Sequence, residues 1–343
     1  EDMGMQRVAA FCAALMLAAA ANAQYAERPV TMVVPFPPGG VADTVARPVA
    51  EAMGRALGQP VVIENKSGAG GGIGMAHVAK ARADGYTVLM ALSSLVVLPE
   101  ADKVLGRAPA FQVKDLKPIA RFTADPTVLA VRADSPWKTY AEFVAYGKAN
   151  PGKLNFGSSG NYGTMHIPMA MLMLGSGTQM THIPYTGAGP AIVGLLGGQV
   201  DAIATGPATI VQHVQAGKIR ALAQWGDGRL ASLPDVPSLK ELGVPIDYAQ
   251  WAGLFVPAET PEPVVQKLRD AARAAGNDPK VREVLGKAGS PVQYQDAPDF
   301  QRYVDADAVN SRPVMPASIN ARARAAPSPK RYWKIGMNRA PDV

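Results

Sequence analysis

The chain has almost no cysteine. Cys12 is its only one among 343 residues, and it lies inside an apolar N-terminal run. Lipid attachment there would need a small residue just before it, and Phe11 occupies that place. Once the run is removed, no disulfide, no thiolate nucleophile and no Cys-ligated metal can form. Histidine is scarce as well. His77, His166, His182 and His213 are the four present, and none has H-x-x-x-H spacing with a partner Glu, so no metal is expected. Most are expected to be structural; His166, just after a glycine-rich loop, is the candidate to face a cleft. Aromatics make up 6% and charged residues 18%, while 48% of the chain is hydrophobic. That is enough for two ordinary cores, and it excludes general disorder.

Other absences remove whole classes of function. No G-x-x-x-x-G-K-[ST] occurs, which excludes a P-loop. SGAGGGIG (67–74) has no register that fits G-x-G-x-x-G, and no acidic residue is placed to hold a ribose, so no dinucleotide cofactor is expected. GSSGNYGT (157–164) puts its glycines wrongly around Ser158 and Ser159 for a G-x-S-x-G nucleophile elbow. The net charge is +6, but Lys and Arg are scattered rather than gathered on one element, which argues against a nucleic-acid partner. After the N-terminal run, no stretch reaches the roughly 18 apolar residues of a membrane span.

The N-terminus has the pattern of a secretory signal. Arg7 precedes VAAFCAALMLAAA (8–20), and Ala21-Asn22-Ala23 supplies small residues before Gln24. Cleavage is expected after Ala23, with export of the remainder. Beyond it, short β-prone runs alternate with helical patterns. VTMVVPF (30–36), VVIEN (61–65) and YTVLMAL (86–92) read as strands, with helices expected at 43–57 and 74–83. A second series contains VLAVR (128–132), LNFGSSG (154–160), MTHIPYTG (180–187), VDAIATG (200–206) and IRALAQW (219–225), with helices at 163–174 and 189–197. An amphipathic helix at 262–276 follows. This order predicts an α/β fold of two lobes, each a mostly parallel sheet with flanking helices. The expected divisions are a signal peptide at 1–23, lobe 1 at 24–123 plus 236–310, lobe 2 at 124–235, and a poorly ordered basic tail at 311–343. A cleft lined by loops at the carboxyl ends of the strands would lie between the lobes.

The loops after the strands are rich in Gly, Ser, Thr and Asn. In VPFPPGGVADTVARP (34–48) the glycines can expose N–H groups at a helix N-terminus, which favours a carboxylate or phosphate. Asp43 or Thr44 could instead cap that helix. Asp43 could also accept a hydrogen bond from a ligand, and these alternatives stay open. Tyr185 could stack on a ligand or simply pack.

Taken as an ordered set, several segments resemble one family. They are VPFPPGGVADTVARPVAEAMGRALGQPVVIENKSGAGGGIG, ADGYTVLMALSS, LNFGSSGNYGTMH, HIPYTGAGPAIVGLLGGQVDAI, GKIRALAQWGDGRLASLPDVPSLKELG and WAGLFVPAETPEPVVQKL, within residues 25–305. The chain resembles the substrate-binding proteins of tripartite tricarboxylate transporters, the Bug family. The resemblance implies a periplasmic, venus-flytrap protein of the type II solute-binding class that binds without catalysis. It implies small organic carboxylates as ligands: di- and tricarboxylic, acidic amino and aromatic acids. It also implies the membrane permease subunits of a tripartite transporter as partners, and a monomer. Carried over by motif, the site comprises Phe36, Pro38, Gly39, Gly40, Asp43 and Thr44; Ser93 and Ser94; Ser158, Ser159, Gly160, Asn161 and Thr164; Tyr185, Thr186 and Gly187; and Thr205, Gly206 and Pro207.

Three departures stand out. Thr186 occupies a position where many relatives carry lysine. Pro168 is expected to interrupt the helix after His166. The match fades after Asp305, where relatives have a closing helix, and a reading-frame shift would account for the tail. If that helix is lost, the first lobe should be less stable. Two rival functions remain: a ligand-presenting sensor subunit for a signalling receptor, and a secreted hydrolase using Ser158 or Ser159.

Overall fold

The structure, a computed structural model, describes residues 25–311. The expected signal peptide at 1–23 and the tail beyond Ser311 lie outside the described residues. In chain order the first elements are β1 (Val30–Val34), α1 (Val41–Leu57), β2 (Val61–Asn65), α2 (Gly72–Ala79), β3 (Thr87–Leu92), α3 (Ser94–Val104) and β4 (Leu116–Pro126). Next come β5 (Val128–Arg132), α4 (Tyr140–Ala149), β6 (Asn155–Ser158), α5 (His166–Ser176), β7 (Thr181–Pro184), α6 (Ala188–Leu196), β8 (Ala202–Thr205), α7 (Val211–Gln215) and β9 (Ile219–Gln224). The chain then runs through β10 (Ala249–Pro257), α8 (Glu262–Asn277), α9 (Pro279–Lys287), β11 (Gln295–Asp296) and α10 (Ala297–Ser311).

The strands form two sheets, ordered β11-β4-β10-β3-β1-β2 and β7-β6-β8-β5-β9. Both are mixed. Parallel pairing is confined to β1 with β2 and β3, and to β6 with β7 and β8. The antiparallel strands β4, β5 and β10 carry or flank the passages between the sheets. The chain leaves the first sheet at Pro126, enters the second at Val128, and returns through 225–248. Leu239 and Ile246, on that return, still pack in the second core.

Burial explains the element types. β1 and β3 lie inside a sheet covered on both faces, so they read as nearly unbroken apolar runs. β2 is an edge strand and alternates between half-buried and exposed. α8 buries Val265, Leu268, Ala271, Ala272 and Ala275, a stripe at helical spacing. α4 begins on a capping box in which Thr139 and Glu142 each accept from the other's backbone N–H.

Two expectations change. Pro168 does not break α5, which starts at His166; Pro168 therefore sits in the first turn, where a missing N–H costs no intrahelical bond. The closing helix is present as far as Ser311. α10 buries Phe300 and Val304 in the first core, and Asp307 accepts from Trp251 Nε1 at 2.6 Å.

Candidate functional site

The loop after β1 enters α1 through Gly40, an N-cap with extended backbone and no side-chain cap. Asp43, in the first turn, turns back instead. Its Oδ2 accepts from Gly39 N at 3.0 Å and from Arg47 Nε at 2.8 Å. Its Oδ1 accepts from Arg47 Nη2 at 2.9 Å and from Asn65 Nδ2 at 3.0 Å. Asn65 Nδ2 also donates to Phe36 O at 2.9 Å. Burial pushes the Asp43 carboxyl up, but the Arg47, Gly39 and Asn65 bonds outweigh it and hold the group below its ordinary value. Asp43 therefore braces the loop, and both of its oxygens are engaged within the protein. The first-turn N–H groups behind Gly40 have no side-chain cap, and Val41 and Ala42 are buried.

The parallel strands β1, β2, β6, β7 and β8 deliver their carboxyl ends to one seam. Pro37 presses on Gly187, which follows β7. Gly70, in the loop after β2, meets Gly160 after β6: a β-carbon on Gly160 would lie 2.8 Å from Gly70 N. Both have positive φ, +67° and +118°, so each site suits glycine on two counts. Gly206, after β8, packs on Val41 at the start of α1 and beside Gln250 on β10. The two lobes are thus closed on one another, loop against loop.

The predicted site residues divide by what they touch. Phe36 and Gly40 are buried in the closed loop, while Pro38 and Gly39 are exposed. Half-buried Thr44 lines, with Gly39, Thr209, Gln212 and Lys287, a groove of about 450 Å³ at the lobe junction. Ser93 Oγ lies 3.2 Å from Tyr248 OH. Ser94 Oγ and Ser159 Oγ are buried and have no hydrogen-bond partner. Ser158 Oγ lies 2.6 Å from His182 Nε2 and 3.1 Å from both the N and O of Gly160. Thr164 Oγ1 accepts from Gln250 Nε2 at 2.5 Å. Thr205 Oγ1 lies 3.1 Å from Thr209 Oγ1, and Pro207 opens a short 3-10 turn. Asn161 and Thr186 are exposed. Tyr185 sends its hydroxyl to Gln199 Oε1 at 3.2 Å and packs over Gly194, on its own lobe.

His166 is buried beneath the 158–164 loop, its Nδ1 accepting from Tyr162 N at 2.9 Å. Its ring stacks on His182 with centroids 4.1 Å apart, and His182 stacks on Phe156 at 4.9 Å. These rings form a platform that stiffens the loop from below. Among the described residues, no group of three or more His, Cys, Asp or Glu is placed to hold a metal. No described helix is long and apolar enough to cross a membrane.

The sequence reading missed Gln250 and Tyr248, and it set the Gly70 loop aside once its dinucleotide spacing failed. A polar residue opening an otherwise apolar run, AQWAGLFV, is the one signal that could have found Gln250.

Residues 45–319 match the family profile described as tripartite tricarboxylate transporter family receptor. The chain belongs to this family. A relative from Cupriavidus necator, the UPF0065 protein in the gbd 5' region, is 39% identical over 86% of this chain and 90% of its own length. The solved periplasmic binding protein BugD superposes on this receptor with a TM-score of 0.82 at 34% identity, covering 86% of this chain and 98% of BugD. MatC from Rhodopseudomonas palustris, solved with malate, gives 0.80 at 33% identity over 85% of this receptor and 100% of MatC. An R. palustris protein solved with adipate gives 0.80 at 28% identity, covering 86% and 98%. The family and the fold are those of two-lobed periplasmic solute-binding proteins.

Proposed function

We propose that this receptor captures a small organic carboxylate between its lobes in the periplasm and hands it to the membrane subunits of a tripartite transporter. The carrying observation is the polar lining of the closed seam. Ser94 Oγ and Ser159 Oγ, just after β3 and β6, are buried without a protein partner, and so is Gln250 Oε1, whose neighbour Gly206 packs on Val41 at the uncapped start of α1. Unsatisfied buried polar atoms are costly, and a ligand that pairs with them offsets that cost. Hydroxyls, amides and backbone N–H groups at the positive end of α1 suit a carboxylate. Arg47 spends its guanidinium on Asp43, so neutral donors hold the anion. Malate and adipate in relatives of the same fold agree with this class.

Closure follows from differential affinity. The ligand touches both lobes only when they meet, so binding draws the open state toward the closed one. Thermal shift across mono-, di-, tri- and aromatic carboxylates tests the reading. At a hundred times its Kd, a carboxylate adds about 2.7 kcal/mol of stability and a clear rise in Tm. If only sugars or cationic amino acids raise Tm, the ligand class is wrong. Uptake by membranes carrying the transporter, with and without this receptor, tests delivery; binding without any effect on uptake would favour a sensor subunit.

One observation favours a hydrolase: the 2.6 Å approach of Ser158 Oγ to His182 Nε2, a nucleophile–base distance. Against it, Ser158 is wholly buried and its hydroxyl is closed onto Gly160. Generic esters incubated with purified protein decide the matter: turnover that Ser158→Ala abolishes would replace the binding reading.

A further inference from the structure

Two histidines lie under the 158–164 loop, and they are not equivalent as bases. His166 opens α5, and its Nδ1 accepts from Tyr162 N at 2.9 Å. Tyr162 has a positive φ of 58°, so this bond holds a residue in a conformation that side chains disfavour. A proton on Nδ1 would break it, because a backbone N–H can only donate. His182, on β7, pairs in register with Phe156 on β6, and its Nε2 lies 2.6 Å from Ser158 Oγ. A proton there does the opposite. With Nε2–H donating to Oγ, the Ser158 hydroxyl donates to Gly160 O and accepts from Gly160 N, each at 3.1 Å.

The two rings stack with centroids 4.1 Å apart and planes at 8°, so a charge on one opposes a charge on the other. Of the two, half-buried His182 is the one that can be charged without losing a bond. Phe156, stacked on it at 4.9 Å, offers the negative face of its ring. From α5, His182 faces His166, and beyond that ring lies Tyr162 of the loop, tilted against His166 at 5.4 Å. Tyr185, after β7, turns its hydroxyl to Gln199 and packs over Gly194 on α6.

Arg47 is committed to Asp43, and the donors offered to an anion at the seam are neutral. His182 stands just behind them. Its partner Ser158 adjoins Ser159, whose buried hydroxyl has no partner, and Gly160, which meets Gly70 of the other lobe. We infer that His182, protonated, is the counter-charge of the bound carboxylate, acting through Ser158 and the loop rather than touching the ligand. It is a positioning residue, and the inference rests on the carboxylate reading above and deepens it. A carboxylate that favours the charged ring binds with uptake of a proton. Affinity therefore rises as pH falls through the histidine range, near 6.5. The gain of a charge-assisted over a neutral hydrogen bond corresponds to about tenfold.

Calorimetric titration of the full chain at pH 6, 7 and 8 tests this, with whichever of malate, succinate, adipate and benzoate raises Tm most. Binding should be about tenfold tighter at pH 6 than at pH 8. Any loss of ligand charge at the acid end works against that trend. At pH 7, titrations in phosphate and in Tris, whose heats of ionisation differ, should show a fraction of a proton taken up per ligand. His182→Gln keeps a hydrogen-bonding group beside Ser158 but cannot be charged. Its profile should be flat, at or below the affinity of the unaltered protein at pH 8. Asp125, a buried carboxyl paired in register with Gln250, would push affinity in the same direction, so Asp125→Asn is measured alongside and should keep the slope. Equal affinity at pH 6 and pH 8, or no proton uptake, overturns the inference in the unaltered protein without recourse to a variant. So does a slope that survives His182→Gln. Carboxylate binding without a pH slope sinks this inference alone, whereas binding of no carboxylate at any pH sinks the functional reading and this with it.

Discussion

Pro37 and Gly187 face each other across the seam so closely that a β-carbon on Gly187 would come within 2.3 Å of Pro37 Cδ and 2.4 Å of its Cγ. Gly187 has extended backbone, φ 173° and ψ −180°, which any residue adopts. What requires glycine here is the other lobe. Gly187→Ala should therefore leave each lobe folded and obstruct their meeting. We expect ligand affinity to fall by tenfold or more with little change in the ligand-free Tm. Titration calorimetry measures the first, and small-angle scattering should show the variant staying open with ligand. Unchanged affinity would mean that the lobes do not close at this point.

Asp43 holds the other side of that contact in shape. Its four bonds to Gly39, Arg47 and Asn65 fix the turn that presents Pro37. Asp43→Ala would remove four hydrogen bonds whose donors, on exposed Gly39 and Arg47 and half-buried Asn65, regain water in part, and should cost about 1–2 kcal/mol of stability, with Asp43→Asn intermediate. The bonds hold the Asp43 carboxyl below its ordinary value. Its contribution is therefore complete above the unfolded pKa, near 4, and is lost as pH falls through the lower folded value. The Asp43→Asn variant should show a shallower acid limb than the unaltered protein in urea melts taken from pH 5 to pH 2.

Much of this was legible in the sequence, for physical reasons. A strand buried on both faces, such as VTMVV, announces itself by a β-branched run ended by Gly or Pro, here Pro35. The loops that follow are conspicuous because close approach of two backbones demands glycine. Long-range polar pairing left no such trace. Gln250 meets Thr164 only after the chain has crossed between sheets twice, and no local pattern encodes that. β4 was hidden for a similar reason. Its Thr123-Ala124-Asp125-Pro126 end has turn-like composition, but β10 pairs with it through Pro126 and makes it strand. The role of Asp43 could not be chosen from spacing, because capping and ligand contact call for the same residue type at the same place. Only the positions of Arg47 and Asn65 separate the two.

Ser159 offers a cleaner test of ligand contact. Its hydroxyl is buried with no partner within the protein, so its loss removes a penalty rather than a bond. Ser159→Ala should leave Tm unchanged or slightly raised without ligand. With ligand, affinity should drop by about five- to tenfold. Ser94→Ala should behave in the same way. A variant that destabilises the ligand-free protein while keeping full affinity would assign these hydroxyls to structure.

Asp125 sits at the passage between the lobes, paired in register with Gln250 on the neighbouring strand. Ser290 Oγ donates to its Oδ2, while Oδ1 has no partner. Burial raises its carboxyl to about 7, against the opposing pull of Ser290 and Arg121. The sign is opposite to that of Asp43. The folded state holds this proton more tightly than the unfolded chain, so stability is greatest below pH 4 for this group and is lost as pH rises toward 7. The loss amounts to roughly 4 kcal/mol at most. Asp307, raised to about 6 by burial, adds to the same slope. Asp125→Asn keeps the shape and removes the titration. It should gain stability relative to the unaltered protein as pH increases from 5 to 8, read as a difference in urea midpoints. A constant difference across that range would mean that Asp125 ionises in the folded protein as it does in the unfolded chain.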